Sequence, residues 1–203
     1  ETAARQLAAE DLEDTPTLVS GNTVVDAVLQ HLDIADEKST ILTDLDVDPG
    51  EYGLVTVHRA ANVDSRETFQ SILDGLGRVA TDTGLPLFYP VHPRARERLD
   101  DWALSVPDTL QLVDPLDYLD FLKMEQYARV VLTDSGGVQE EACVLGTPCV
   151  TLRENTERPE TLDVGANVLA GTDPDQILEG ARAMLQADDT WENPFGDGTA
   201  GEA

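Results

Sequence analysis

The chain has 203 residues, 41% of them hydrophobic, which is enough for the core of one domain of about 150–200 residues or parts of two and excludes general disorder. Acidic residues number 40 against 13 Lys and Arg, a formal net charge of −27, so the surface repels nucleic acid and anionic membrane and excludes both as partners. No apolar run approaches the roughly 20 residues of a membrane span, and Glu1–Glu10 is acidic and helical in pattern rather than a basic leader before an apolar stretch, so no secretory signal is expected.

In chain order, the pattern predicts a short helix over Thr2–Asp11, a strand over Thr17–Ser20 and a turn at Gly21-Asn22. Val24, Val25, Ala27, Val28 and Leu32 recur at helical spacing and predict a helix over Thr23–Leu32, followed by a loop that Pro49-Gly50 closes. A regular alternation then begins. Buried strands are expected at Leu54–Val57, Leu87–Val91, Thr109–Val113, Val130–Thr133, Cys149–Leu152 and Val168-Leu169. Between them lie helical patterns at Arg66–Thr81, Arg94–Leu104, Tyr118–Tyr127 and Gly137–Leu145, with Pro174–Leu185 closing the series. Gly84 and Gly146 stand where two of these helices must stop. Strand–helix units of this length predict an α/β fold: a Rossmann-like parallel sheet with helices on both faces. In such sheets ligands bind at the carboxyl ends of the strands, which is where chemistry is to be sought.

Five segments occupy those ends. Thr133-Asp134-Ser135-Gly136-Gly137-Val138-Gln139-Glu140-Glu141 follows a strand and opens a helix. Its glycines let backbone approach a ligand, and free N–H groups with the positive helix end favour phosphate. Ser135 adds a hydroxyl, and Glu141 a carboxylate able to accept from two ribose hydroxyls. A plain strand–helix turn with an acidic first turn explains the same residues, and pattern alone leaves both open. Arg153-Glu154-Asn155-Thr156-Glu157-Arg158-Pro159-Glu160 puts two guanidiniums after a strand in a chain poor in cations, which suits pyrophosphate. The alternative there is an Arg–Glu surface pair. His58 beside Arg59 ends another strand and suits acid–base work. His92, between Pro90-Val91 and Pro93, serves a site or braces a rigid loop. Asp114-Pro115-Leu116-Asp117-Tyr118-Leu119-Asp120-Phe121 offers an aromatic wall for a base, or simply core. Cys143 and Cys149 match no metal or redox spacing and are expected as buried thiols in a reducing cytosol.

The order HR-x-x-N, PVHP, DPLxYxxF, TDSGGxQEEA, LGTP and LRxxTERPE resembles the C-terminal domain of the non-hydrolysing UDP-N-acetylglucosamine 2-epimerases, from about Gly21 to Gly198. The resemblance implies the C-terminal half of a GT-B-type two-domain fold, with the active site in the cleft between the halves. It implies interconversion of UDP-GlcNAc and UDP-ManNAc by elimination of UDP to a glycal and re-addition, with no cofactor and no metal. Carried onto this chain, Ser135, Gly136 and Glu141 bind UDP, the last through the ribose. Arg158 takes the diphosphate, Leu116 (by its backbone) and Phe121 flank uracil, and His58 is the catalytic histidine. Arg59 and His92 match positions where some members hold a second, activating nucleotide sugar, with Gly137 and Gln139 in support. Ala61 departs from the family, which usually has Glu there.

The expected organisation is a remnant of a preceding Rossmann-like domain and linker at 1–22, the nucleotide-binding domain at 23–190 and a Gly-rich tail at 191–203. The family's proposed catalytic carboxylates belong to the N-terminal domain. This chain is therefore expected to bind UDP and to epimerise little alone, and the family forms homodimers. Competing readings are a GT-B glycosyltransferase donor domain, a non-catalytic UDP-binding remnant and a hydrolysing epimerase. A charge of −27 with two lysines, Lys38 and Lys123, points to a salt-rich cytoplasm, because at molar salt a Debye length of about 3 Å screens self-repulsion.

Overall fold

A computed structural model of the chain describes residues 2–10, 16–187 and 190–202. Six parallel strands form one sheet: β1 (Gly53–Thr56), β2 (Leu87–Pro90), β3 (Leu110–Val113), β4 (Val130–Thr133), β5 (Cys149–Thr151) and β6 (Asn167–Leu169), in the order β3-β2-β1-β4-β5-β6. The first three strands build outward on one side of β1, and the chain then crosses back to lay β4 on the other side. The direction of winding therefore reverses between β1 and β4, whose register pairs Thr56 with Thr133.

β1, β4 and β5 are buried along their whole length, which is why they read as continuous apolar runs rather than alternating ones. Successive side chains still point to opposite faces. Val55, Leu132 and Val150 pack with Phe69, Ile72 and Leu76 of α5 (Arg66–Thr83) and with Ile177 and Ala181 of α10 (Pro174–Gln186). Leu54, Val131 and Cys149 face the other way, towards Met124 of α7 (Tyr118–Tyr127) and Val138 and Ala142 of α8 (Gly136–Leu145). A third layer lies outside α7 and α8, where Val28 and Ala35 of α2 (Thr23–Lys38) pack with Leu122, Val144 and Leu145. Each fully buried Leu, Ile or Val stabilises the fold by about 1.5–3 kcal/mol.

Local chemistry sets the helix ends. Ser65 accepts from Thr68 N–H to start α5, and Gly84 and Gly146 end α5 and α8 in the left-handed conformation, at φ 73° and 78°. α6 (Pro93–Asp101) starts on Pro93 and stops short of Leu104, which follows a turn at Ala103 with φ 46°.

Three short helices were not expected: α3 (Ile41–Asp44), α4 (Ala60–Val63) and α9 (Pro159–Asp163). α1 spans Thr2–Ala9; the expected end at Asp11 lies outside the described residues. The strand expected over Thr17–Ser20 does not form. Among the described residues it pairs with neither edge strand of the sheet, and Leu18 and Val19 are exposed; β propensity without a partner ladder does not make a strand. The tail beyond residue 190 is largely irregular, as expected, but it is tied down. Trp191 Nε1 donates to Cys143 O, Asn22 N to Phe195 O, and Ala200 N and Gly201 N to the Asp26 carboxylate. Among the described residues no helix is long and apolar enough to cross a membrane.

Candidate functional site

The loops after β1, β4 and β5 converge where the strand order reverses, the place where open α/β sheets hold ligands. Asp134 joins them. This fully buried carboxylate, one residue past β4, accepts from His58 N (3.1 Å), Arg59 N (2.9 Å) and Asn62 Nδ2 (3.1 Å). Asn62 Nδ2 also donates to Leu152 O at the end of β5 (3.0 Å), so one amide and one carboxylate fix three loops. Beneath them, the Thr56 and Thr133 hydroxyls meet at 2.5 Å.

His58 is brought to this junction as expected. Its Nδ1 lies 3.3 Å from Asp134 Oδ1, and its ring is 41% exposed. A carboxylate at Nδ1 favours the proton there and leaves Nε2 as the exposed acceptor, the tautomer suited to accepting a proton from a ligand. The His92 ring stands 5.9 Å away, tilted by 35°. His92 also caps α6, since Nδ1 accepts from Arg94 N at 3.2 Å. The bracing contact is therefore present, and the same ring stands beside that of His58.

Ser135 is the N-cap of α8, accepting from Val138 N–H; its hydroxyl proton stays available to an anion. The Gly136 and Gly137 amides stand in the first turn, where no intrahelical acceptor exists. A Cβ on Gly136 would stand 3.6 Å from Arg59 Nη2 and 3.8 Å from Glu157 Oε2, so the helix start opens between a cation and a carboxylate. Gln139 is buried, and its Oε1 accepts from Thr156 Oγ1 at 2.5 Å. It fastens the loop after β5 to α8.

That loop carries two differently used arginines. Arg153 forks onto Glu157 at 2.7 and 2.8 Å and holds that carboxyl down to about 2. Arg158 is one-third exposed, and its Nε lies 2.6 Å from Oε1 of buried Glu140 in an ion pair off the N–H axis. A cleft of about 740 Å³ is lined by Arg158, Glu140, Glu157, Asn22, Arg5 and Phe195. Leu116 and Phe121 pack, partly buried, into the apolar cluster that holds Val138 and Ala142, beside α8 rather than at the β1 junction. Glu141 is on α8 too. Burial and the charge of Glu140 raise it to about 7.

Asp134, Asn62 and Glu140 received no individual role from the sequence, although each lies inside a motif. The available signals were an Asp ending a buried apolar strand, and paired carboxylates on a helix that is otherwise apolar.

A family model described as UDP-N-acetylglucosamine 2-epimerase matches residues 1–203. The UDP-N-acetylglucosamine 2-epimerase of Methanocaldococcus jannaschii is 40% identical over 208 residues, covering 100% of this chain and 57% of the relative. That of Methanococcus maripaludis is 40% identical and covers 99% and 57%. The crystal structure of the M. jannaschii enzyme with UDP-GlcNAc and UDP superposes with a TM-score of 0.92, covering 98% of this chain and 56% of that one. A co-structure of S. aureus MnaA with UDP gives 0.82 at 32% identity, covering 98% and 56%. The chain spans about half the length of the curated relatives it matches.

Proposed function

The chain belongs to the UDP-N-acetylglucosamine 2-epimerase family, and from that membership we propose that its switch-point site binds the UDP moiety of UDP-GlcNAc and serves its non-hydrolysing 2-epimerisation to UDP-ManNAc. The observation that supports it most is the junction at β1, β4 and β5. The α8 N-terminus, Arg59, Arg158 and His58 all belong to loops at the same sheet end.

In this reading Ser135 and the Gly136 amide take a phosphate, Arg158 the diphosphate and Glu141 the ribose hydroxyls. Leu116 and Phe121 flank uracil. The C2 proton is removed as UDP leaves C1, giving a glycal; UDP then adds back at C1 as a proton reaches the opposite face of C2. Arg158 and the α8 amides stabilise the departing UDP, because preorganised donors cost no reorganisation when charge develops. His58 acts at its exposed Nε2. Arg59 and His92, supported by Gly137 and Gln139, suit a second anionic nucleotide next to the first.

Residues 23–190 form the nucleotide-binding unit of this proposal, with 1–22 as linker and 191–203 as a tail. The relatives' names and bound ligands support the substrate. The −27 charge with two lysines supports a salt-rich cytoplasm as the setting, and a homodimer supplying polysaccharide synthesis is the assembly and pathway we infer. The test is calorimetry with UDP in molar KCl. The chain should bind, and Arg158→Ala should weaken binding by at least tenfold, since a charge-assisted contact contributes about 1.5–3 kcal/mol. Unchanged affinity in Arg158→Ala would remove the arginine from the diphosphate site.

A further inference from the structure

Arg158 depends on residues that the UDP reading does not use. Oε1 of Glu140, the oxygen 2.6 Å from Arg158 Nε, also accepts from Asn22 Nδ2 at 2.7 Å. The Glu140 side chain is 7% exposed, on the second turn of α8. Its two partners come from distant parts of the chain: the junction before α2, 118 positions away in sequence, and the loop that opens α9.

A carboxylate this buried is tolerated only when paired, and an apolar side chain would fill the same space with less desolvation. A structural role explains the ion poorly; orientation of the arginine explains it better. A long side chain on a partly exposed loop samples many rotamers, whereas a guanidinium held at Nε by an ion pair keeps its planar fork in one orientation. Arg158 Nη1 is further steadied by donating to Glu157 O at 3.1 Å. Asn22 completes the arrangement. Its Oδ1 caps α2 through Val24 N–H while its Nδ2 holds Glu140, and its own N–H donates to Phe195 O. The linker, the α2 start and the C-terminal tail therefore meet at the residue that anchors Glu140.

We propose that Glu140 is a positioning residue for the diphosphate site: anchored by Asn22, it holds the Arg158 guanidinium so that its Nη groups meet the ligand's phosphates. The proposal rests on the reading of Arg158 as the diphosphate ligand, and its test separates the two. Without ligand, the Arg158 Nε–Hε signal in nitrogen-15 NMR should be ordered in the parent chain and mobile in Glu140→Gln. In calorimetry at pH 8.5, where Glu141 is ionised with or without the Glu140 charge, Glu140→Gln should weaken UDP by about tenfold, or about 1.4 kcal/mol, and leave uridine, which has no phosphate, unchanged. In the Arg158→Ala background it should cause no further loss. Should Glu140→Gln fail to fold, Asn22→Ser carries the same test, because Ser retains an N-cap oxygen for α2 but has no amide to reach Glu140. Equal losses for UDP and uridine, additive losses in the double variant, or an Nε–Hε signal indifferent to Glu140 would each overturn the proposal. A parent chain that binds uridine but gains nothing from the diphosphate, with Arg158 order still set by Glu140, would sink the diphosphate reading and uphold the positioning contact.

Discussion

Burial and the neighbouring Glu140 carboxylate push Glu141 from its ordinary 4.5 up to about 7, and the proposed ribose contact needs the ionised form, which only accepts hydrogen bonds. Glu125 and Tyr118 are close enough to interact electrostatically with Glu141, and both resist ionising near neutrality. Ligand binding therefore carries the titration of Glu141. Uridine is the cleanest probe, having no phosphate of its own to titrate. Its affinity should rise by about tenfold from pH 6 to pH 8, as the ionised fraction of a group at about 7 does. Glu141→Gln should bind more weakly and lose the slope. A flat profile in the parent chain would remove Glu141 from the ribose site. The motif containing Glu141 was legible in sequence because its glycines and acids are contiguous. The Asp134–Asn62 bond was not, because its partners are 72 positions apart and no local pattern encodes a non-local pairing.

At the scale of elements, α7 holds the chain's least favourable local choice. Glu125 is fully buried, neither of its oxygens has a hydrogen-bond partner among the described residues, and burial, with Glu141 adding to it, pushes its carboxyl well above the ordinary range. Held neutral, it still leaves a polar group unsatisfied, at a cost of about 1–3 kcal/mol. Glu125→Met should remove that cost and raise the melting temperature by about 2–4 °C per kcal/mol. The pH dependence has a definite sign. A carboxyl raised on folding holds its proton in the native state and loses it in the unfolded state, so stability falls as pH rises from the ordinary 4.5 towards the raised value. The variant should show a shallower fall across that window than the parent; identical slopes would mean that Glu125 is solvated or paired. The same helix shows what sequence reading can do. Tyr118–Tyr127 and Val130–Thr133 match their predicted bounds, because apolar spacing, Ala128 and the following strand delimit them. α3, α4 and α9 span four or five residues each, too short for a helical period to register. α2 runs six residues past its predicted end at Leu32; in Asp33–Lys38 only Ala35 is buried and Ile34 is exposed, so no apolar face continues the helical pattern there.

For the whole molecule, charge outweighs any single pair. The exposed Arg94–Asp64, Arg182–Asp82 and Arg78–Asp175 contacts tie helices together at the surface, yet pairs of this kind contribute at most about 1 kcal/mol each. Against them stands a net charge of −27, whose mutual repulsion acts over about 10 Å in 0.1 M salt and about 3 Å in 1 M. The two effects respond oppositely to salt: screening weakens the bridges slightly and removes far more repulsion. The melting temperature should therefore climb between 0.1 M and 2 M KCl, by about 10 °C if screening relieves about 3–4 kcal/mol. Chloride isolates charge screening from the general stabilisation that sulfate gives through exclusion from protein surface. A rise seen equally in KCl and NaCl, and saturating once the Debye length falls below the spacing of surface carboxylates, fits screening. A flat or falling curve in KCl would show that the acidic surface is already accommodated at low salt, and the salt-rich cytoplasm would lose its physical argument.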